Sequence, residues 1–273
     1  RGQIVADLFD RAVASGTATV FDVCDPRLDP ASEAGRCNLK MIREADCVVT
    51  STPPLAEVLR PHRAREPSVI TDMYEGPRGE PAWQPQPDRL KVLWFGHGSN
   101  HDTLPGLCTE LIRVGRHRPI QLTILTGGGP DLLSMCKSFN QKWRHAVETR
   151  YKVWSPEATW AALAATDVVV IPSMNRPKKL VKSPNRIVES LWAGRCVVAY
   201  TLPAYAPFAE WAFLDNSIER GLERALAEQD SIADRVRGAQ AYIADTHSPE
   251  RIAEQWEQVI AEAVTAKQEK PRG

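Results

Sequence analysis

The chain has 273 residues, 43% of them hydrophobic and 25% charged, which describes a globular protein with material for one large domain or two smaller ones. Lys plus Arg equals Asp plus Glu at 34 each, so no global field draws it to nucleic acid or to an anionic membrane, and any anion site must be local. No uninterrupted apolar run reaches the about 18 residues of a spanning helix, and six cysteines without a CxxC pair read as buried, reduced thiols of a cytoplasmic protein rather than zinc ligands.

In chain order, "IVADLFDRAVA" has apolar residues at helical spacing, and "GTATVFDVCD" supplies a turn and a strand containing Val20, Phe21 and Val23. A helix is predicted around "CNLKMIREA", then the strand "DCVVTST", the helix "PLAEVLRPH" and the strand "PSVIT". Alternation of this kind predicts a parallel sheet covered by helices. The pattern breaks at "YEGPRGEPAWQPQPD", rich in Pro and Gly, which reads as an interdomain linker.

The alternation then restarts. "RLKVLWFGHGSN" is a strand ending in a glycine loop, "TLPGLCTELIRVGR" a helix, "IQLTILTGGG" a strand with a second glycine loop, and "DLLSMCKSFNQKW" a helix. The strand "VETRYKVWS", the helix "PEATWAALAAT", the strand "DVVVIP", a helix in "KSPNRIVESLWAG", the strand "CVVAYT" and two or three C-terminal helices complete a doubly wound α/β unit. The expected organisation is a short N-terminal Rossmann-like part over 1–74, a linker over 75–88, a C-terminal domain over 89–265 and a tail over 266–273.

Ligands of open α/β sheets bind beyond the carboxyl ends of the strands. Three turns are predicted there: Gly96-His97-Gly98-Ser99, Gly127-Gly128-Gly129, and "KSPNR" at the start of the following helix. In the last, Ser183 is a candidate N-cap and Pro184 fits the first helical position. The amides that follow and the positive end of the helix dipole suit a phosphate or another anion, with Lys182 and Arg186 adding charge. On a helical wheel Ile187, Val188, Leu191 and Trp192 share one arc, while Asn185, Arg186 and Glu189 fall on the other. At about 1.5 Å rise per residue, Glu189 lies about 9 Å from Ser183 along the axis, a span that lets amides hold a diphosphate while the carboxylate accepts from ribose hydroxyls. A solvated glutamate on an ordinary helix gives the same pattern.

Taken together, "KVLWFGHGS", "LTILTGG", "AATDVVVIPS" and "KSPNRIVESLWAGRCVVA" resemble the C-terminal domain of GT-B glycosyltransferases, closest to the retaining group that includes many family 4 enzymes. The resemblance runs from about Lys91 to Val264, and Lys182, Asn185, Arg186, Glu189 and Gly194 match the family's signature of a basic turn, a glutamate and a glycine before an apolar strand. It implies two Rossmann-like domains of GT-B type, with the N-terminal, acceptor-side domain incomplete here. It implies transfer of a sugar from a nucleoside diphosphate sugar to a carbohydrate, lipid or small-molecule hydroxyl, as in building cell-envelope polysaccharide, with no metal and no other cofactor. The residues implied are Lys182, Arg186 and His97 in catalysis and Gly96, Gly98, Ser99, Gly127, Gly128, Ser183, Pro184, Asn185 and Glu189 around the donor. Peripheral contact with the inner face of a membrane stays open; nucleic acid is not an expected partner.

The sequence also departs from that pattern. Many members carry a second glutamate eight positions before the last, where this chain has Val181, and a basic pair near the first glycine loop that "GHGSNHDTL" lacks. These departures leave two alternatives open, a catalytically inactive nucleotide-binding or scaffolding subunit and a sugar-nucleotide epimerase of the same fold. His97 reads equally as a phosphate ligand or a plain loop residue, Asp22 and Asp25 as turn formers or a general base. Trp154, Ser155 and Glu157 fall where such folds receive the nucleobase, although Trp154 also suits a core.

Overall fold

The computed structural model describes residues 2–83, 85–128 and 130–269. The chain forms two compact units. The first gathers the residues up to Met73, Arg176–Ser183 and those from Thr246 onward; the second comprises Tyr74–Asn175 and Pro184–Asp245.

The first unit begins with α1 (Gly2–Ala14), β1 (Val20–Val23), α2 (Glu33–Glu44), β2 (Cys47–Thr50), α3 (Pro53–Leu59) and β3 (Ser68–Val69). Its strands form a parallel sheet in the order β1-β2-β3. Helix α2 starts four residues before the predicted segment because the Ser32 hydroxyl accepts from the Gly35 amide at 3.0 Å, satisfying one amide that the helix itself leaves without a partner. Thr52 does the same for α3 at the Leu55 amide, with Pro53 at the first position. Strand β2 is buried on both faces, the mark of a central strand in a parallel sheet.

The second unit runs β4 (Leu90–Phe95), α4 (Leu104–Gly115), β5 (Ile120–Thr126), α5 (Pro130–Trp143), β6 (Val147–Val153), α6 (Pro156–Ala164) and β7 (Val168–Ile171). The chain then enters the first unit for α7 (Pro177–Leu180) and returns for α8 (Asn185–Trp192), β8 (Cys196–Ala199), β9 (Phe213–Leu214), α9 (Ile218–Ala227) and α10 (Ile232–Thr246). The six strands are parallel in the order β6-β5-β4-β7-β8-β9. The sheet therefore grows in opposite directions from β4 and β7, which sets a topological switch point at their carboxyl ends. All four residues of β7 are fully buried, each worth roughly 1.5–3 kcal/mol of apolar burial.

Three of the expected boundaries are corrected. The 75–88 stretch is no free linker: the Gly79 amide donates to Trp192 O at 2.9 Å and the Ala82 amide to Gly194 O at 3.2 Å, while Tyr74 stacks on Trp192 with ring centroids 4.0 Å apart. Main-chain donors left over in a Pro- and Gly-rich stretch are thus satisfied on the second unit. Gly194 takes φ +79°, and a Cβ there would sit 2.2 Å from Glu80 O. Next, α11 (Pro249–Glu269) packs on the first unit, although its pattern suggests a C-terminal continuation of the second. Its Ile252, Val259 and Ala263 cluster with Cys47, Val49 and Ile70, whereas Val48 faces the other way into Ile42, Leu55 and Leu59. The period of two along β2 thus distributes its side chains to helices on opposite faces. Finally, helix α11 extends through residues 266–269 of the expected tail; the remaining four lie outside the described residues.

Candidate functional site

Turns after β4 and β5, at the carboxyl edge of the second sheet, carry Gly96, His97, Gly98, Ser99, Gly127 and Gly128. The chain leaves β4 through Gly96, which has φ +157°. A Cβ on Gly96 would lie 3.5 Å from Arg186 Nη1 and 3.4 Å from Asn100 Nδ2, and one on Gly98 would lie 3.4 Å from Gly127 O. Residues from the three predicted turns therefore adjoin. Arg186, in the first turn of α8, donates from Nη1 to Phe95 O at 3.3 Å, spanning from that helix to the last residue of β4. Gly129 lies outside the described residues.

His97 is exposed, and its Nδ1 accepts from the Ser99 amide at 3.1 Å. The ring thereby caps the 3-10 turn over Gly98–Thr103. Since Nδ1 must offer a lone pair to that amide, the neutral ring carries its proton on Nε2, which becomes a donor. Sequence reasoning missed His101. Its Nε2 lies 3.2 Å from Thr126 Oγ1, tying the turn after β4 to the end of β5. A second histidine four residues after His97 was its only signal.

Helix α8 follows the predicted wheel: Ile187, Val188 and Leu191 are fully buried, while Asn185, Arg186 and Glu189 are partly exposed. Its cap is shifted. Pro184, not Ser183, is the N-cap, its carbonyl accepting from the Ile187 and Val188 amides at 2.8 and 3.0 Å. The Ser183 hydroxyl instead donates to the Asp72 carboxylate, a charge-assisted bond stronger than one between neutral groups. Lys182 pairs with Asp25. Lys182 and Ser183 thus belong to the first unit, together with Val181, which is buried among Val48, Leu55 and Leu59 and whose carbonyl accepts from Thr52 Oγ1 at 2.9 Å. A valine at that position has a packing reason.

The carboxyl ends of the first unit's strands gather acidic groups. Burial, and then the neighbouring Asp72 charge, raise the Asp22 carboxyl above the usual aspartate range. Asp25 is taken up by Lys182. In the second unit, Trp154 is about half exposed rather than in the core, with its amide donating to Thr126 O at 3.1 Å. Ser155 caps α6 by accepting from the Ala158 amide at 3.1 Å. The Glu157 amide and Ser155 hold the Glu157 carboxyl below its ordinary value.

Chemically, the second unit offers a guanidinium, a helix N-terminus and two glycine turns where an anion can approach the backbone. Glu189, on the same face of α8 as Arg186, adds an acceptor for hydroxyl groups. Among the described residues no helix is long and apolar enough to cross a membrane.

No protein-family model and no curated protein matches this chain. Solved structures do. The chain is similar to TarM of S. aureus at 13% identity and a TM-score of 0.64, covering 89% of this chain and 50% of that one. It is similar to HepE of Anabaena, solved with UDP and glucose, at 13% identity and a TM-score of 0.72, covering 96% and 76%. The pneumococcal O-GlcNAc transferase GtfA, solved with UDP and GlcNAc, gives 15% identity and a TM-score of 0.65, covering 96% and 55%. This chain spans about half the length of TarM and GtfA. Likeness at this level is one of architecture, and it establishes that the chain has the GT-B fold of these glycosyltransferases.

Proposed function

We propose that this chain acts in a glycosyltransferase that moves a sugar from a nucleoside diphosphate sugar to an acceptor hydroxyl, with retention at the anomeric carbon and without a metal. The carrying observation is the convergence of Gly96, Gly98, Gly127 and Arg186 at the carboxyl edge of the second sheet, with Glu189 on the same face of α8 as Arg186. Breaking the anomeric bond builds negative charge on the departing diphosphate. Fixed donors aimed at that charge stabilise the transition state without reorganising.

In this reading Arg186 and the start of α8, with Pro184 and Asn185, meet the diphosphate, helped by the amides of Gly98, Ser99, Gly127 and Gly128. Glu189 accepts from the ribose hydroxyls. His97 Nε2 donates to a phosphate or sugar oxygen, and the exposed Trp154 ring gives the base a flat apolar surface. Lys182, which pairs with Asp25 within the first unit, is the second proposed cation.

The neighbours HepE and GtfA were solved with UDP, so uridine nucleotides are the first probes. Calorimetry with UDP and GDP, followed by a screen of nucleotide sugars for hydrolysis or transfer, tests the reading. Saturable binding of one nucleotide and turnover of its sugar are expected. Absence of binding to both nucleotides sinks it, and binding without any turnover points to a subunit that has lost transfer.

A further inference from the structure

A groove between α4 and α5 shares no residue with the turns described above. Its cavity is about 560 Å³, within the range of about 300–1,000 Å³ typical of small-molecule sites. Leu104, Cys108 and Ile112 line it from α4, and Cys136, Phe139 and Trp143 from α5.

Both hydroxyl groups of this lining are already engaged. Thr109 donates to Pro105 O at 3.0 Å, and the Thr149 hydroxyl bonds Asn140 Oδ1 at 2.9 Å and Cys136 O at 3.3 Å. Burial pushes the Cys108 thiol up to about 12 and raises the Cys136 thiol as well, so both stay neutral. Little along the groove would reward a polar guest.

Formal charge in the lining comes from one place, the C-terminal end of α4, through Arg113 and Arg116. Arg116 is exposed and makes no ion pair among the described residues. Arg113 holds Glu219 at 2.8 Å while remaining about half exposed. Lys142 adds a third cation nearby, 5.0 Å over the Trp143 ring. A neutral apolar trough with guanidinium groups at one end is complementary to one alkyl chain carrying one terminal anion.

We propose that this groove binds a single-chain anionic amphiphile of the long-chain carboxylate class, its alkyl chain lying between α4 and α5 and its carboxylate meeting Arg116 and Arg113. The inference is independent of glycosyl transfer. A bidentate guanidinium–carboxylate contact orients the guest, and the alkyl chain supplies most of the affinity, at about 0.8 kcal/mol per buried methylene.

The test is calorimetric titration of the whole chain with laurate below its micellar concentration. One saturable site is expected, with dodecyltrimethylammonium, of equal chain length and opposite charge, binding weaker by on the order of tenfold or more. Arg116→Glu, at an exposed position, should weaken laurate by a similar factor and leave UDP binding as in the parent. The proposal is overturned by equal binding of both amphiphiles, by several weak sites, by indifference to Arg116→Glu, or by binding only to anionic phospholipid vesicles.

Discussion

Arg186 has two neighbours that matter: the carbonyl of Phe95, to which it donates, and the glycine turn that leaves β4. Arg186→Ala is expected to weaken nucleoside diphosphate binding on the order of tenfold or more, since a charge-assisted contact to phosphate contributes about 1.5–3 kcal/mol. Glu189→Ala should chiefly weaken binding of nucleotides that carry ribose, and leave inorganic pyrophosphate unaffected. Calorimetry with UDP and pyrophosphate separates the two roles, and equal losses on both ligands would show that Glu189 does not read the sugar. Lys182→Ala should lower turnover more than binding, because Lys182 already has Asp25. His247 gives a different residue-scale test. It is buried, and burial brings its imidazole down to about 4. The unfolded chain then binds the proton more readily between the two values, so stability falls as pH drops from about 7 toward 4. Between pH 7.5 and 5 the loss is about 2 kcal/mol, read as a shift in urea midpoint that His247→Leu should remove.

At the scale of elements, Gly194 decides how α8 ends. Its left-handed backbone and the 2.2 Å approach of Glu80 O leave no room for a side chain. Gly194→Ala should therefore cost about 2 kcal/mol or more, visible as a lower melting temperature. Elements of this kind were legible to different degrees. Strand β7 stands out in the sequence because a doubly covered parallel strand reads as a continuous apolar run, and the buried arc of α8 follows from helical period alone. Strand β9, with two residues, carries no period to read. The Ser183 cap was misread because its competitor, Asp72, lies 111 residues away in sequence; Lys182 and Asp25 are separated by 157. Local pattern says that a hydroxyl or an ammonium wants a partner, not which distant carboxylate will supply it.

For the whole molecule, the least legible feature was the destination of α11. Its amphipathic pattern shows which side is buried but is silent on the surface that covers it. Val259, buried against Cys47 and Val49, is the point to test. Val259→Asp would bury a carboxylate in that apolar cluster, at a cost of several kcal/mol. Hydrogen exchange should then show β2 amides losing protection while β7 and β8 keep theirs; parallel loss in both sheets would mean that the two units unfold as one. The same arrangement bears on synthesis. Every segment of the second unit has left the ribosome once residue 245 is out, whereas the first unit must still wait for the helix that covers one face of its sheet. Domains usually mature from the amino end as translation proceeds. Here strands β1, β2 and β3 are made well before α11, so a nascent chain that still lacks this helix would present Cys47, Val49 and Ile70 to chaperones.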